Sequence, residues 1–157
     1  DYITVKEERT HIESYLEIQQ FRYQDILDYE IQMDEEIYGY IIPKLTLQPL
    51  VENALYHGIK NKRGKGKILI TGKKQGDKII FQVIDNGKGM TEEELNSLRK
   101  KMAGTDTGDE AKGFGVSNVN QRIKYYYGGE YGVFFESKEN EGTNATIIAA
   151  KNIQLLS

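Results

Sequence analysis

A chain of 157 residues fits one domain of the common ~100–200, and 38% hydrophobic with 29% charged residues can bury a core and is not the composition of a disordered segment. A net charge of −3 gives no reason to expect nucleic-acid binding, and the absence of cysteine excludes disulfides and thiolate metal sites. With only His11 and His57 there is little material for a histidine zinc site; no apolar run approaches the ~20 residues of a membrane span, and no signal peptide is visible.

The chain starts at Asp1, without methionine, within a helical pattern, so it reads as a piece of a longer protein. Residues 4 to about 24 form an amphipathic helix on the recurrence of Ile12, Tyr15, Leu16, Ile18 and Phe21, with Glu13 and Glu17 on another face. Leu27 to Met33 is a short strand, closed by a turn at Asp34-Glu35-Glu36 and Gly39. Leu47, Leu50, Val51, Ala54 and Leu55 define the apolar face of a second helix, with Thr46 as N-cap, Pro49 in the first turn and Gly58 as stop. A basic loop (Lys60 to Lys67) leads into a hairpin of strands 67–75 and 77–85 with Gly76-Asp77 at the turn. Thr91 and Glu94 make a capping box for a helix to about Met102. Residues 103–113 are polar, glycine-rich and without periodicity, which predicts a mobile loop. A helix from Val116 to about Tyr127 buries Val116, Val119, Ile123 and Tyr126, and strands at 131–138 and 143–150 follow. The expected fold is α/β: a two-layer sandwich, its mixed and largely antiparallel sheet covered on one face by helices.

Four stretches carry chemistry. Asn53 lies off the packing face of its helix; it is either a solvent-facing asparagine or a hard oxygen ligand for Mg²⁺, which normally arrives with phosphates. Asp85 shares strand parity with Ile79, Phe81 and Val83, so its carboxylate faces a buried row and needs a donor, such as the exocyclic amine of adenine; an Asx-turn with the following residues is the competing reading. Gly87 and Gly89 let the backbone turn sharply beside a flat ligand. Gly113-Phe114-Gly115-Val116 opens a helix and exposes amide N–H groups to an anion, with Arg122 on that helix reaching either a phosphate or a surface carboxylate. It lacks the third glycine of the dinucleotide fingerprint, and Gly64-Lys65-Gly66-Lys67 lacks Walker A spacing. Gly142-Thr143 could place a hydroxyl beside Asp85 or simply close a hairpin.

In order and spacing, Pro49-Leu50-Val51-Glu52-Asn53-Ala54-Leu55-Tyr56-His57-Gly58, Asp85-Asn86-Gly87-Lys88-Gly89-Met90, Gly113-Phe114-Gly115-Val116 and Gly142-Thr143 resemble the N, G1 and G2 boxes and the final conserved pair of the ATPase superfamily that joins gyrase, the large cytosolic chaperones, histidine kinases and mismatch-repair ATPases. The resemblance covers roughly residues 43–150. Within that group, Pro49 to Ala54, Gly115 to Ile123 and Tyr15-Leu16-Glu17-Ile18-Gln19 are similar to sensor histidine kinases of the LytS/YesM type.

That resemblance implies a Bergerat-type ATP-binding fold over residues 26–157, with residues 1–25 as the last helix of an upstream dimerisation and phosphoacceptor region. It implies ATP and Mg²⁺ as ligands. Asn53 would hold the metal, Asp85 read adenine, and Gly113 and Gly115 contact phosphates, while His57, Gly87, Gly89, Val116, Arg122 and Thr143 complete the ATP site. Residues 91–112 would be the ATP lid. Hydrolytic members carry a glutamate one turn before the metal asparagine; here that place is Pro49. Glu52, the remaining candidate for a catalytic base, points about 100° away from Asn53 on an ideal helix. Phosphoryl transfer to an acceptor supplied from elsewhere therefore fits better than hydrolysis by a switch ATPase, the alternative. The implied enzyme is a protein-histidine kinase domain on the cytoplasmic side of a membrane-anchored sensor. Its partners would be an acceptor helix of the same or a partner protomer in a homodimer and a response regulator. Tyr56 stands where the family commonly has lysine, Phe114 and Val116 also depart from its pattern, and His11, followed by Ile12, is not placed as the acceptor.

Overall fold

The alternation of Ile79, Phe81, Val83 and Asp85 becomes one fully buried face of a strand, while Ile80, Gln82 and Ile84 look the other way and stay half-buried. The computed structural model describes residues 1–60, 64–104 and 114–151. In chain order these form β1 (Tyr2–Thr4), α1 (Val5–Arg22), β2 (Leu27–Met33), a 3₁₀ turn (Glu35–Ile37), β3 (Ile41–Pro43) and α2 (Gln48–Asn53), which runs on as a π-helical stretch (Ala54–Ile59). Then come β4 (Gly66–Gln75), β5 (Lys78–Asp85), α3 (Glu92–Met102), α4 (Phe114–Tyr127), β6 (Gly132–Lys138) and β7 (Gly142–Ala150).

The main sheet has the order β2-β4-β5-β7-β6; only β2 and β4 run parallel, so the sheet is mixed and mostly antiparallel as expected. β1 and β3 make a separate two-stranded antiparallel ladder, which three-residue strands do not announce in the sequence. The hairpin of β4 and β5 closes with Gln75 opposite Lys78, leaving Gly76-Asp77 as its two-residue loop. The Thr91–Glu94 capping box is present with both reciprocal bonds at 3.1 Å. One continuous core takes Ile68 and Ile70 from β4, Phe81 from β5 and Ile147 from β7, and packs them against Leu50, Val51 and Leu55, Val119 and Ile123. No helix among the described residues is long and apolar enough to cross a membrane.

Three local expectations change. α1 buries Val5, Glu8, Ile12, Leu16 and Gln19, whereas Ile18 and Phe21 are 60% and 76% exposed; the buried stripe runs through two polar residues that apolar counting skips. Thr46 does not cap α2: Leu47 holds the cap position, and the Thr46 hydroxyl turns back to donate to the Pro43 carbonyl. Gly58 does not end the helix, which continues through it to Ile59. The loop expected at 103–113 lies outside the described residues from 105 onward.

Candidate functional site

β5 ends at Asp85, and over that end opens a cleft of about 450 Å³, walled by α2 with its π-helical extension on one side and α3 on the other. It gathers Asn53, His57, Asp85, Gly89 and Thr143, five of the residues singled out from the sequence. Met90 and Leu98 give it an apolar wall, and Lys88 and Lys101 bring cationic side chains.

The floor is fixed by strand register. Asp85 pairs across the ladder with Thr143, so a carboxylate and a hydroxyl sit side by side. Asp85 is only 6% exposed. Its Oδ1 accepts from the Gly87 amide at 2.8 Å, so the Asx-turn reading is realised. The Gly58 Cα lies directly against this carboxylate: a Cβ there would come within 2.6 Å of Asp85 Oδ1. Gly87 in turn packs on the Gly58 backbone, so the helix is drawn onto the G1-like turn by two residues without side chains. Gly58 was expected to stop a helix; its close approach to Asp85, a long-range contact, is not readable from local pattern.

Ser137 has no counterpart among the sequence candidates. Its hydroxyl accepts from the Met90 amide at 2.8 Å, donates to the Gly142 carbonyl at 2.9 Å and lies 2.8 Å from the Thr143 hydroxyl. It therefore ties the turn after β5 to the start of β7 and orients Thr143. α3 is tied down as well. Arg99 donates to the Phe135 carbonyl at 2.8 Å, and buried Asn120 donates to the Met102 carbonyl at 3.2 Å while accepting from Val133 N at 2.9 Å. The first part of the expected lid is thus a helix anchored to α4 and β6; its continuation past residue 104 lies outside the described residues. Glu94 sits at the mouth, its carboxyl held below the usual range by the Thr91 amide and hydroxyl.

Glu52, Val116, Gly115 and Arg122 lie off the cleft. Glu52 accepts from Gln48 Nε2 at 3.3 Å one turn back on α2. Val116 is a core residue, 3% exposed. Gly115 faces Pro49, the position a Cβ would take lying 3.5 Å from the proline ring. Arg122 donates to the carbonyls of Lys44 and Leu45 at 2.7 and 2.6 Å. Gly113 is outside the described residues.

Residues 43–152 match the family described as histidine kinase-, DNA gyrase B- and HSP90-like ATPases. The chain is 34% identical to the sensor histidine kinase YesM of Bacillus subtilis over 94% of its own length, and 30% identical to the sensor protein LytS of Bacillus anthracis over 96%. It spans about a quarter of each relative, 24% and 25%. Among solved structures, the catalytic domain of the histidine kinase ThkA superposes with a TM-score of 0.71 at 18% identity, covering 98% of both chains, which shows a shared fold. ThkA has also been solved in complex with a response regulator, TrrA; that chain superposes with a TM-score of 0.69 at 20% identity, over 97% of this chain and 42% of its own.

Proposed function

The chain belongs to the histidine kinase-, DNA gyrase B- and HSP90-like ATPase family, and from that premise we propose that it is the ATP-binding catalytic domain of a two-component sensor histidine kinase. The observation that carries the reading is the buried Asp85 carboxylate at the floor of the cleft, with Thr143 beside it and an apolar wall above. The carboxylate, which already accepts from the Gly87 amide, can also accept from the exocyclic amine of adenine, in the plane of a ring that Met90 and Leu98 can cover.

The phosphates run toward α2, where His57 lines the cleft as a donor; Arg122, spent on the Lys44 and Leu45 carbonyls, is not among these donors. Asn53 lines the cleft with an amide oxygen suited to Mg²⁺. No group of three or more His, Asp or Glu is assembled among the described residues, so Asn53 would hold a metal only together with phosphate oxygens and water. The metal would supply neutralisation of phosphate charge.

Glu52, turned to Gln48, is not in the cleft, and Pro49 has no proton-accepting side chain. Both favour phosphoryl transfer over hydrolysis. The γ-phosphoryl group passes to a histidine of an upstream helix, on the same or the partner protomer of a homodimer, leaving ADP, and then to a response-regulator aspartate. The complete protein is a membrane-anchored sensor with this domain on the cytoplasmic side.

Titration with a fluorescent ATP analogue, with and without Mg²⁺, tests the site. Asp85→Asn replaces a charged acceptor and is expected to weaken binding about 10- to 100-fold. Equal affinity in that variant would remove the adenine assignment. Sustained conversion of ATP to ADP by the chain alone would favour the switch ATPase.

A further inference from the structure

The segment between β3 and α2 is gripped from two sides. Glu8, on α1, is fully buried, and its Oε2 accepts from Thr46 N at 2.8 Å and Leu47 N at 3.3 Å, across 38 and 39 residues of chain. From the other side Arg122, on α4, holds the carbonyls of Lys44 and Leu45. Thr46, 1% exposed, ties the same segment to the Pro43 carbonyl, and Leu45 sits at φ 61, a conformation a leucine keeps only when its surroundings hold it there.

A buried carboxylate is a costly means of capping two amides. Glu8 Oε1 has no hydrogen-bond partner among the described residues, and burial raises the carboxyl's affinity for a proton against the opposing pull of the two amides, His11 and Arg122. What the arrangement provides is geometry. Leu47 is the cap of α2, and Asn53 stands six residues further on, about 9 Å along the same rigid rod. Gly115 and Arg122 are seven residues apart on α4, hence on one face, and that face meets Pro49 and the 44–45 carbonyls together. α1 thus grips, at a single carboxylate, the element that carries Asn53 and packs on Gly115.

We propose that Glu8 is a positioning residue for the nucleotide cleft: through residues 43–47 it sets where α2 presents Asn53, so that a displacement of α1 is felt as a change in nucleotide affinity. The inference rests on the ATP-site reading above. Because coupling is reciprocal, nucleotide binding also tightens the Glu8 cap.

The test uses the 157-residue chain and a fluorescent ATP analogue with Mg²⁺, below the unfolding transition of every variant. Glu8→Ala is expected to weaken binding about tenfold, within the usual range of such couplings. Glu8→Gln, which keeps an acceptor oxygen at the same reach, restores affinity to within about threefold. Ile12→Val, on the same helix face, lowers stability through packing alone and leaves affinity unchanged. Hydrogen exchange at the Thr46 amide slows on adding nucleotide in the wild type. Equal affinities for Glu8→Ala and Ile12→Val would overturn the inference while leaving the ATP site intact. Failure of the wild type to bind would overturn the ATP-site reading and this inference with it. Should Glu8→Ala not fold, Glu8→Asp, with its carboxylate drawn back by one methylene, carries the same comparison with Ile12→Val: weakened binding supports the inference and unchanged binding overturns it.

Discussion

The two ends of the cleft are built from different materials. At the Asp85 end the site is built on the sheet: Asp85 faces Thr143 in register, Ser137 bonds to both the turn after β5 and the start of β7, and the Gly58 backbone packs against one side of the carboxylate. At the Asn53 end the position of the site residue is set by helices, and those helices are held by Glu8 and Arg122, which do not line the cleft. At the first end the glycines have no room for a Cβ. The second is expected to tolerate loss of a site side chain, and its helices are held by groups outside the cleft.

The largest effect is expected where the sheet-built end is overfilled. Gly142 has φ 116, and a Cβ on it would run into the Asp85 carbonyl oxygen. Gly142→Ala therefore combines overpacking, roughly 1–3 kcal/mol, with a strained backbone that adds about 1 kcal/mol or more. Gly129→Ala is the control, since nothing among the described residues lies within 4 Å of its Cβ position and its φ is not positive. Urea unfolding of both variants checks the difference. If Gly142→Ala were no less stable than Gly129→Ala, the close packing assigned to this end would be wrong.

Asn53→Ala probes the other end and should behave in the opposite way. Asn53 is half-buried beside the cleft, and its loss should change stability by no more than about 0.5 kcal/mol. Its effect should appear in binding: about tenfold weaker affinity with Mg²⁺ and none without it. A loss of equal size in the absence of Mg²⁺ would make Asn53 a direct nucleotide contact and blur the distinction between the ends.

The same division governs what the sequence could tell. The expected mixed, largely antiparallel sheet is present, and the Gly76-Asp77 hairpin and the Thr91 capping box were legible because their signals span a few residues. Strand parity showed which way Asp85 faces, but the register that sets Thr143 opposite it belongs to the sheet, and the sequence left a hairpin turn as the other reading of Gly142-Thr143. Glu8 and Gln19 were not legible as core, because a buried polar residue looks like a surface one until its partner, here the amides of Thr46 and Leu47, is known. Ser137 and the contact of Gly58 with Asp85 are likewise products of tertiary approach. Thr46 carried a good cap signal and was overruled by the grip on Pro43 and Glu8.

The smallest expected effect is a pH dependence confined to the helix-built end. Burial raises the Glu8 carboxyl above its ordinary 4.5, outweighing the Thr46 and Leu47 amides, His11 and Arg122, which all favour the ion. The folded chain therefore takes up this proton more readily than the unfolded chain. The resulting stability is fully present below about 4.5 and is lost as pH rises through the higher folded value. Glu8→Gln cannot titrate there, so the unfolding free energy of the wild type minus that of the variant should grow as pH falls from neutrality toward 4, the other carboxylates largely cancelling in the difference. A protonated Glu8 still offers an acceptor oxygen to Thr46 N, so the cap persists as the charge is lost. A difference that shrank on acidification would mean that the ion itself is what the amides and Arg122 stabilise. The anchor of α2 would then be electrostatic, and the helix-built end would weaken in acid where it is expected to strengthen.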